Sequence, residues 1–407
     1  MRSLNIKFHK PLTNNIKLNS SKSESNRALI IKYLSKEIIK IKNLSNANDT
    51  ILLKNLLLKN SNSLWDVEDA GTTMRFLTSY IALNKKNIIL TGSKRMKKRP
   101  ISILVESLKS IGCEIEYLEK NGYPPIIIIE KINQKNNYLE IKGNISSQYI
   151  SSILMIAPKL KKGISLKILK PFYSKPYVEM TLKLMEKFGV YNKFENNIIT
   201  IKNQNYKKGT YTVEADWSAA SYWYSIVAIN KNIDNIKLIG LKKNSLQGDQ
   251  VISNIMISFG VSTKYVKDGI ILNKNNNDIS YQEIDFKNCP DLAQTILVIA
   301  SKKKINLKII GVDSLKIKET NRLLAMKNEL KKIGVNFYNN KNEWFLDTSK
   351  YKLSDKISIS TYNDHRMAMA FSPLASECDL TIKDPDVVHK SYPNFWKDLK
   401  NVGYKLN

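Results

Sequence analysis

Five short segments of this 407-residue chain gather cations, hydroxyls and carboxylates at spacings that suit the chemistry of small anions. Lys22-Ser23-Glu24-Ser25-Asn26-Arg27 holds two cations and two hydroxyls directly ahead of the apolar run Ala28-Leu29-Ile30-Ile31, which keeps those cations at the edge of a core. Asp69-Ala70-Gly71-Thr72-Thr73-Met74-Arg75 has the form of a phosphate-approach turn, in which glycine lets backbone N–H groups reach a ligand. Residues 90–100 carry a basic run that ends Lys94-Arg95-Met96-Lys97-Lys98-Arg99-Pro100. Lys318-Glu319-Thr320-Asn321-Arg322 sets Lys318 and Arg322 four apart, the spacing of one helical face, with Glu319 beside them. Asp364-His365-Arg366 leads straight into the apolar Met-Ala-Met-Ala. Arginine forks match carboxylate and phosphate oxygens bidentately, so the set points to anion binding.

These residues must be held by repeated elements. An amphipathic helix followed by apolar-Gly-apolar, a strand, a turn and a return strand recurs at Gly112, Gly189, Gly260 and Gly334, and a partial copy ends at Gly403; the five glycines lie 69 to 77 residues apart. Glycine after the last apolar turn is the expected left-handed helix stop, and five in step imply a tandem α/β unit. The corresponding first copy, near residues 35–68, has the helix but no glycine stop and no hairpin, so it reads as truncated. Between these copies run helices of a second kind, apolar on nearly all sides and polar at their starts: Ser23–Asn26, Gly71-Thr72, Ser146-Ser147, Asp216–Ser218, Asp291 and Asp364–Arg366. All-apolar helices are buried, and each N-terminus offers free N–H groups and about half a positive charge. Ser, Asp and Asn at any one start act first as caps; six starts carrying extra Lys, Arg and Gly point to anions.

Composition narrows the class. Three isolated cysteines (Cys113, Cys289, Cys378) exclude a disulfide framework and a zinc ribbon, and the three histidines form no metalloprotease pair. Walker and Gly-x-Gly-x-x-Gly loops are absent, so no metal, nucleotide or other cofactor is expected. No apolar run nears the ~20 residues of a membrane span, and the start has no apolar signal region, which predicts a cytoplasmic protein. The net charge of +29 comes from lysines spread through every segment together with many Asn and Ile, which reads as compositional drift, with a basic nucleic-acid-binding protein as the alternative reading.

Taken in order, the segments resemble the 5-enolpyruvylshikimate-3-phosphate synthase family, from Ser20 to Lys390. The matching motifs are Ser-Lys-Ser-x-Ser-Asn-Arg at 21–27, Ala-Gly-Thr-x-Met-Arg at 70–75, Arg-Met-x-x-Arg-Pro at 95–100, Ser-Ser-Gln at 146–148 and Ser-Lys-Pro-Tyr at 174–177. Gln-Gly-Asp at 247–249, Pro-Asp at 290–291, Lys-Glu-Thr-x-Arg at 318–322, Asn-Asp-His-Arg-Met-Ala-Met at 363–369 and His-Lys-Ser-Tyr-Pro at 389–393 complete the series.

The resemblance implies a two-domain enolpyruvyl transferase fold, an inside-out α/β barrel of repeated βαβαββ units. Residues 14–213 would form the first domain, residues 1–13 and 214–407 the second, with the active site in the cleft between them. It also implies transfer of the enolpyruvyl group of phosphoenolpyruvate to the 5-hydroxyl of shikimate 3-phosphate, through a tetrahedral intermediate and without a cofactor. Lys22, Gly71, Arg99, Gln148, Arg322, Arg366 and Lys390 would hold phosphoenolpyruvate. Lys22, Ser23, Arg27, Ser146, Ser147, Gln148, Ser174, Tyr177, Asp291 and Lys318 would hold shikimate 3-phosphate. Asp291 would be the base and Glu319 the acid, with Lys22 bridging both substrates. The expected protein is a monomer with no nucleic-acid or membrane partner. A sister enzyme acting on UDP-N-acetylglucosamine shares the fold but typically carries a cysteine in the loop equivalent to Arg95–Arg99, where this chain has none.

Overall fold

The five glycine stops act as the repeat requires. Gly112, Gly189, Gly260, Gly334 and Gly403 all have positive φ, from 71° to 113°, and each ends a helix and turns the chain into a strand. The computed structural model describes residues 2–58, 63–144, 146–275, 281–341 and 343–407. The chain forms two units, one of Ser21–Val213 and one of Met1–Ser20 with Glu214–Asn407.

In the unit of Met1–Ser20 and Glu214–Asn407, three four-stranded sheets share one plan. A parallel pair comes first and two further antiparallel strands complete the sheet, a hairpin in two of the three and the two ends of the chain in the third. The pairs are Asn15–Lys17 with Asn235–Ile239, Tyr281–Asp285 with Asn306–Ile310, and Lys356–Ile359 with Asp379–Lys383. The helices Trp217–Ile229, Ala293–Lys303 and His365–Phe371 precede the second strand of each pair and are buried along nearly their whole length. They pack into one continuous apolar core with the inward faces of the sheets. Ser3–Phe8 lies between Asp379–Lys383 and Tyr404–Leu406, so both chain ends are strands of one sheet.

The unit Ser21–Val213 has its own core and repeats the plan twice. Leu64–Asp66 pairs in parallel with Ile88–Thr91 around helix Gly71–Asn84, and Tyr138–Lys142 with Ile164–Leu169 around helix Ser147–Ile156. The third copy is the truncated one. Ile39–Lys42 and Gly209–Thr212 form a parallel pair with no hairpin attached, and helix Asn48–Leu58 follows; residues 59–62 of that copy lie outside the described residues. The two segments that cross between units exchange partners. Asn15–Lys17, ahead of helix Lys22–Leu34, pairs with the strand after helix Trp217–Ile229, and Gly209–Thr212, ahead of that helix, pairs with the strand after Lys22–Leu34.

One expected boundary is corrected. The first crossing lies at Ser20/Ser21, not near residue 14, because Asn15–Lys17 is a strand of the sheet containing Asn235–Ile239. A second correction concerns Lys318 and Arg322. They do not share a helical face: Lys318 is extended (φ −79°, ψ −153°), and Asn321 caps a helix that begins at Arg322. The Asn321 side chain accepts from Leu324 N at 3.2 Å, a local bond that competes with continuing the helix backwards.

Candidate functional site

In the unit of Met1–Ser20 and Glu214–Asn407, three helix starts bring their charged residues to one cluster. Asp291 stands in the turn Pro290–Leu292 that opens helix Ala293–Lys303. Arg366 Nη2 donates to Asp291 Oδ2 at 2.8 Å, Arg322 Nη1 donates to Asp291 Oδ1 at 3.0 Å, and Lys318 Nζ stands 3.8 Å from the same oxygen. Arg322, 1% exposed, also donates through Nη2 to Glu319 Oε2 at 2.8 Å and through Nε to Asp364 Oδ2 at 2.7 Å. Asp364, fully buried, caps the helix that carries Arg366 by accepting from Arg366 N at 2.9 Å. Arg366 Nη1 donates to the Tyr222 hydroxyl and to Asp291 O, both at 3.2 Å. Lys390 ends the helical turn Pro385–Lys390, which packs on helix His365–Phe371.

Burial pushes the Asp291 carboxyl up, but Arg366, Lys318 and Arg322 together outweigh it and hold the group well below the usual carboxylate range. Burial likewise lowers Arg322, and the carboxylates of Asp364, Glu319 and Asp291 more than reverse it. Burial pushes the Tyr222 hydroxyl up to about 12, so it stays protonated beside Arg366. The arginine forks thus hold the protein's own carboxylates. Each buried charge of the cluster has a partner, and an incoming carboxylate that takes over a guanidinium fork displaces a protein carboxylate from it.

In the unit Ser21–Val213, four helix starts and the loop ahead of helix Ser102–Ser110 carry the remaining predicted residues. Ser21 caps helix Lys22–Leu34, its hydroxyl accepting from Glu24 N at 3.4 Å. Lys22 Nζ donates to Asp49 Oδ2 at 3.1 Å. Arg27 is 2% exposed; its donors go to Thr181 Oγ1 at 2.7 Å, Ser23 O at 2.9 Å, and Ser151 Oγ and Tyr177 O at 3.3 Å. All four acceptors are neutral, and burial lowers the guanidinium to about 10. Gly71 begins its helix directly under Arg99, so that a Cβ there would lie 2.4 Å from Arg99 Nη1. Arg99 is 7% exposed, and its Nε is buried with no hydrogen-bond partner among the described residues. Gln148 Nε2 donates to Thr72 Oγ1 at 2.9 Å, which joins the start of helix Ser147–Ile156 to that of helix Gly71–Asn84. Ser146 caps the former by accepting from Gln148 N at 3.3 Å. Ser174 sits ahead of helix Lys175–Lys187 in the left-handed region at φ 54°, a strained place for a residue with a side chain.

The structure therefore joins Asp291, Lys318, Glu319, Arg322 and Arg366 in one cluster, and links Ser23, Arg27 and Tyr177, and separately Gly71 with Arg99 and Gln148 with Thr72. Four supporting residues are given no role from the sequence, although Asp364 and Arg75 stand in the segments singled out there. Asp364 and Tyr222 hold Arg322 and Arg366. Arg75, 3% exposed, donates to Gly71 O at 3.1 Å and to Pro100 O at 3.2 Å and so ties the Gly71 turn to the loop that carries Arg99. Asp49 holds Lys22. A signal existed for Asp49: Asn48-Asp49-Thr50 is one more polar helix start ahead of an apolar run. Asp69 accepts from the Ser93 hydroxyl, while Ala70 occupies the cap position of the following helix. Among the described residues no group of His, Cys, Asp and Glu is arranged to hold a metal ion, and no helix is long and apolar enough to cross a membrane.

Comparison with known proteins covers nearly the whole chain. Residues 53–399 match the family model described as EPSP synthase (3-phosphoshikimate 1-carboxyvinyltransferase). A 3-phosphoshikimate 1-carboxyvinyltransferase of Bacteroides fragilis is 42% identical over 396 residues, 96% of this chain and 95% of the relative. Its counterpart in Aliivibrio salmonicida is 33% identical over 432 residues, covering 99% of this chain and all of the relative. Among solved structures, EPSP synthase from Acinetobacter baumannii superposes with a TM-score of 0.78 at 19% identity over the full length of both chains. The enolpyruvyl transferase NikO from Streptomyces tendae gives 0.75 at 10% identity, covering 100% of this chain and 98% of that one. At such identities these two matches bear on the fold.

Proposed function

The chain belongs to the EPSP synthase family, and from that premise we propose that it transfers the enolpyruvyl group of phosphoenolpyruvate to the 5-hydroxyl of shikimate 3-phosphate, releasing phosphate. The observation that carries the assignment of roles is the convergence of Arg322, Arg366 and Lys318 on Asp291.

Arg322 and Arg366 receive the carboxylate of phosphoenolpyruvate, whose two oxygens replace the oxygens of Asp291 and Glu319 on the guanidinium forks. Lys22, Arg99, Gln148, Lys390 and the Gly71 backbone N–H take its phosphate. Shikimate 3-phosphate places its phosphate at Ser146, Ser147, Ser174, Gln148 and Lys318, and its carboxylate at Ser23 and Arg27, with Tyr177 lining the ring. The neutral hydrogen-bond acceptors of Arg27 support that role, since burial outweighs the attraction of Glu24 and a buried guanidinium gains from an incoming carboxylate. Once hydrogen bonds pass from Asp291 to the substrate, the pull that depresses its basicity weakens. Asp291 then takes the proton of the 5-hydroxyl as that oxygen bonds to C2 of phosphoenolpyruvate. Glu319 gives a proton to C3, which yields the tetrahedral intermediate. Loss of phosphate from C2 and of a proton from C3 restores the double bond. The buried cations stabilise the charge that develops on the departing phosphate.

Phosphate release from phosphoenolpyruvate, measured with shikimate 3-phosphate and in parallel with UDP-N-acetylglucosamine, tests this reading. Release is expected with the first acceptor alone; release with the sugar nucleotide alone would refute it. The resemblance further supports a cytoplasmic monomer, which sedimentation of the purified protein and cell fractionation test.

A further inference from the structure

The truncated copy has lost its hairpin yet keeps a strand and the eleven-residue helix Asn48–Leu58. The start of that helix clamps two of the helix starts described above. Asp49 Oδ2 accepts from Lys22 Nζ at 3.1 Å, and Asp49 O accepts from Thr73 Oγ1 at 3.1 Å, two residues beyond Gly71. Thr50 Oγ1 donates to Asn26 Oδ1 at 2.8 Å, and Ser25 Oγ accepts from Ser45 N at 2.9 Å. The Lys22 and Asp49 side chains are only 15% and 5% exposed, so solvent screens the pair little.

We propose that Asp49 is a positioning residue for Lys22, a service that the helix of the truncated copy performs beside burying Leu53, Leu56 and Leu57 in the core. The inference rests on the reading of Lys22 as a cation that meets both substrates. Lys22 is the first residue of its own helix, where the positive end of the helix dipole repels an ammonium group. Left to itself, a flexible lysine in that field turns outward to water. Asp49 faces the opposite field: a carboxylate in the first turn of a helix is stabilised by the dipole. Its backbone is anchored to helix Gly71–Asn84 through Thr73, so the carboxylate is a fixed point toward which Lys22 is drawn. Asp49 thereby sets the distance between the Lys22 ammonium and the Gly71 turn, within one unit and without touching substrate.

A double-mutant cycle tests this. Asp49→Asn keeps the shape and the backbone anchors while removing the charge. In the wild-type background it is expected to lower kcat/KM for phosphoenolpyruvate by about 10- to 100-fold, the usual cost of misplacing a binding group by an ångström, with the thermal midpoint nearly unchanged. In a Lys22→Met background, assayed at high enzyme concentration, the same change should cost less than about threefold, because the group being positioned is gone. An equal loss in both backgrounds would mean a general structural role, and no loss in either would mean no role; both overturn the proposal. If Asp49→Asn does not fold, Asp49→Glu takes its place in the cycle under the same criterion. A folded wild-type protein that releases no phosphate with shikimate 3-phosphate would overturn the functional reading together with this inference, whereas an active wild type with an uncoupled Asp49 overturns this inference alone.

Discussion

Gly71→Ala is a one-carbon change whose consequence follows from geometry. The new Cβ would sit 2.4 Å from Arg99 Nη1 and 2.9 Å from its Cζ and Nη2. Ordinary contact begins at 3.4 Å, so the guanidinium must retreat by about 1 Å. The clash is with the far end of a flexible side chain and not with backbone, so the fold absorbs it and stability stays within about 1 kcal/mol of wild type. Binding does not absorb it. A hydrogen bond to a charged group contributes about 1.5–3 kcal/mol, and a guanidinium displaced by that distance forfeits about one such bond to phosphate. The KM for phosphoenolpyruvate should therefore rise about 10- to 100-fold. The KM for shikimate 3-phosphate should move by less than about threefold, since Arg99 is not assigned to it. Steady-state phosphate release with each substrate varied in turn, alongside a thermal melt, measures all three quantities. A Gly71→Ala enzyme with an unchanged KM for phosphoenolpyruvate would refute the assignment of Arg99, and a collapsed melting midpoint would refute the claim that the side chain yields.

Asp291→Asn should abolish turnover while leaving shikimate 3-phosphate binding nearly intact, measured by calorimetry. It should also change acid stability in a defined direction. Burial raises this carboxyl, but Arg366, Lys318 and Arg322 hold it below its unfolded value, so its contribution to stability is present above about pH 4 and is lost as pH falls further. The unfolding free energies of wild type and variant, from urea titrations, should accordingly draw together by about 1 kcal/mol between pH 5 and pH 3. Arg322→Met strands Asp291, Glu319 and Asp364 around an apolar side chain and should cost about 3–5 kcal/mol in urea unfolding, with Arg322→Lys intermediate. Burial pushes the Cys113 thiol up to about 12 and Cys378 to about 11, and raises Cys289 as well. All three should resist alkylation in the native protein at pH 8 and react once urea unfolds it, as mass spectrometry would show.

Much of the architecture was legible in the order of residues alone, because helix stops and buried faces are local properties. A glycine after an apolar helical turn needs no tertiary context to adopt positive φ, and all five did so. An all-apolar helix has nowhere to go but inside, and the six predicted in this way are buried. The missing hairpin of the first copy was equally visible as a shortfall of residues, and a two-stranded sheet stands there. The positions of the charged residues along the chain pointed to anions, since forks, hydroxyls and helix starts are properties of residue type.

What tertiary structure decided was which charge faces which. Lys318 and Arg322 look like neighbours on a helix, but they meet through Asp291, which is distant in sequence. The reason is that an ion pair forms wherever the fold makes desolvating two charges together cheaper than desolvating one, and sequence separation does not enter that comparison. The same holds for Lys22 with Asp49 and for Arg99 over Gly71. The boundary at Ser20 followed from strand pairing, because three residues acquire a strand's identity only from the sheet that accepts their hydrogen bonds. Residue types determined the kind of chemistry; the packing of helix starts determined which carboxylate waits on which cation.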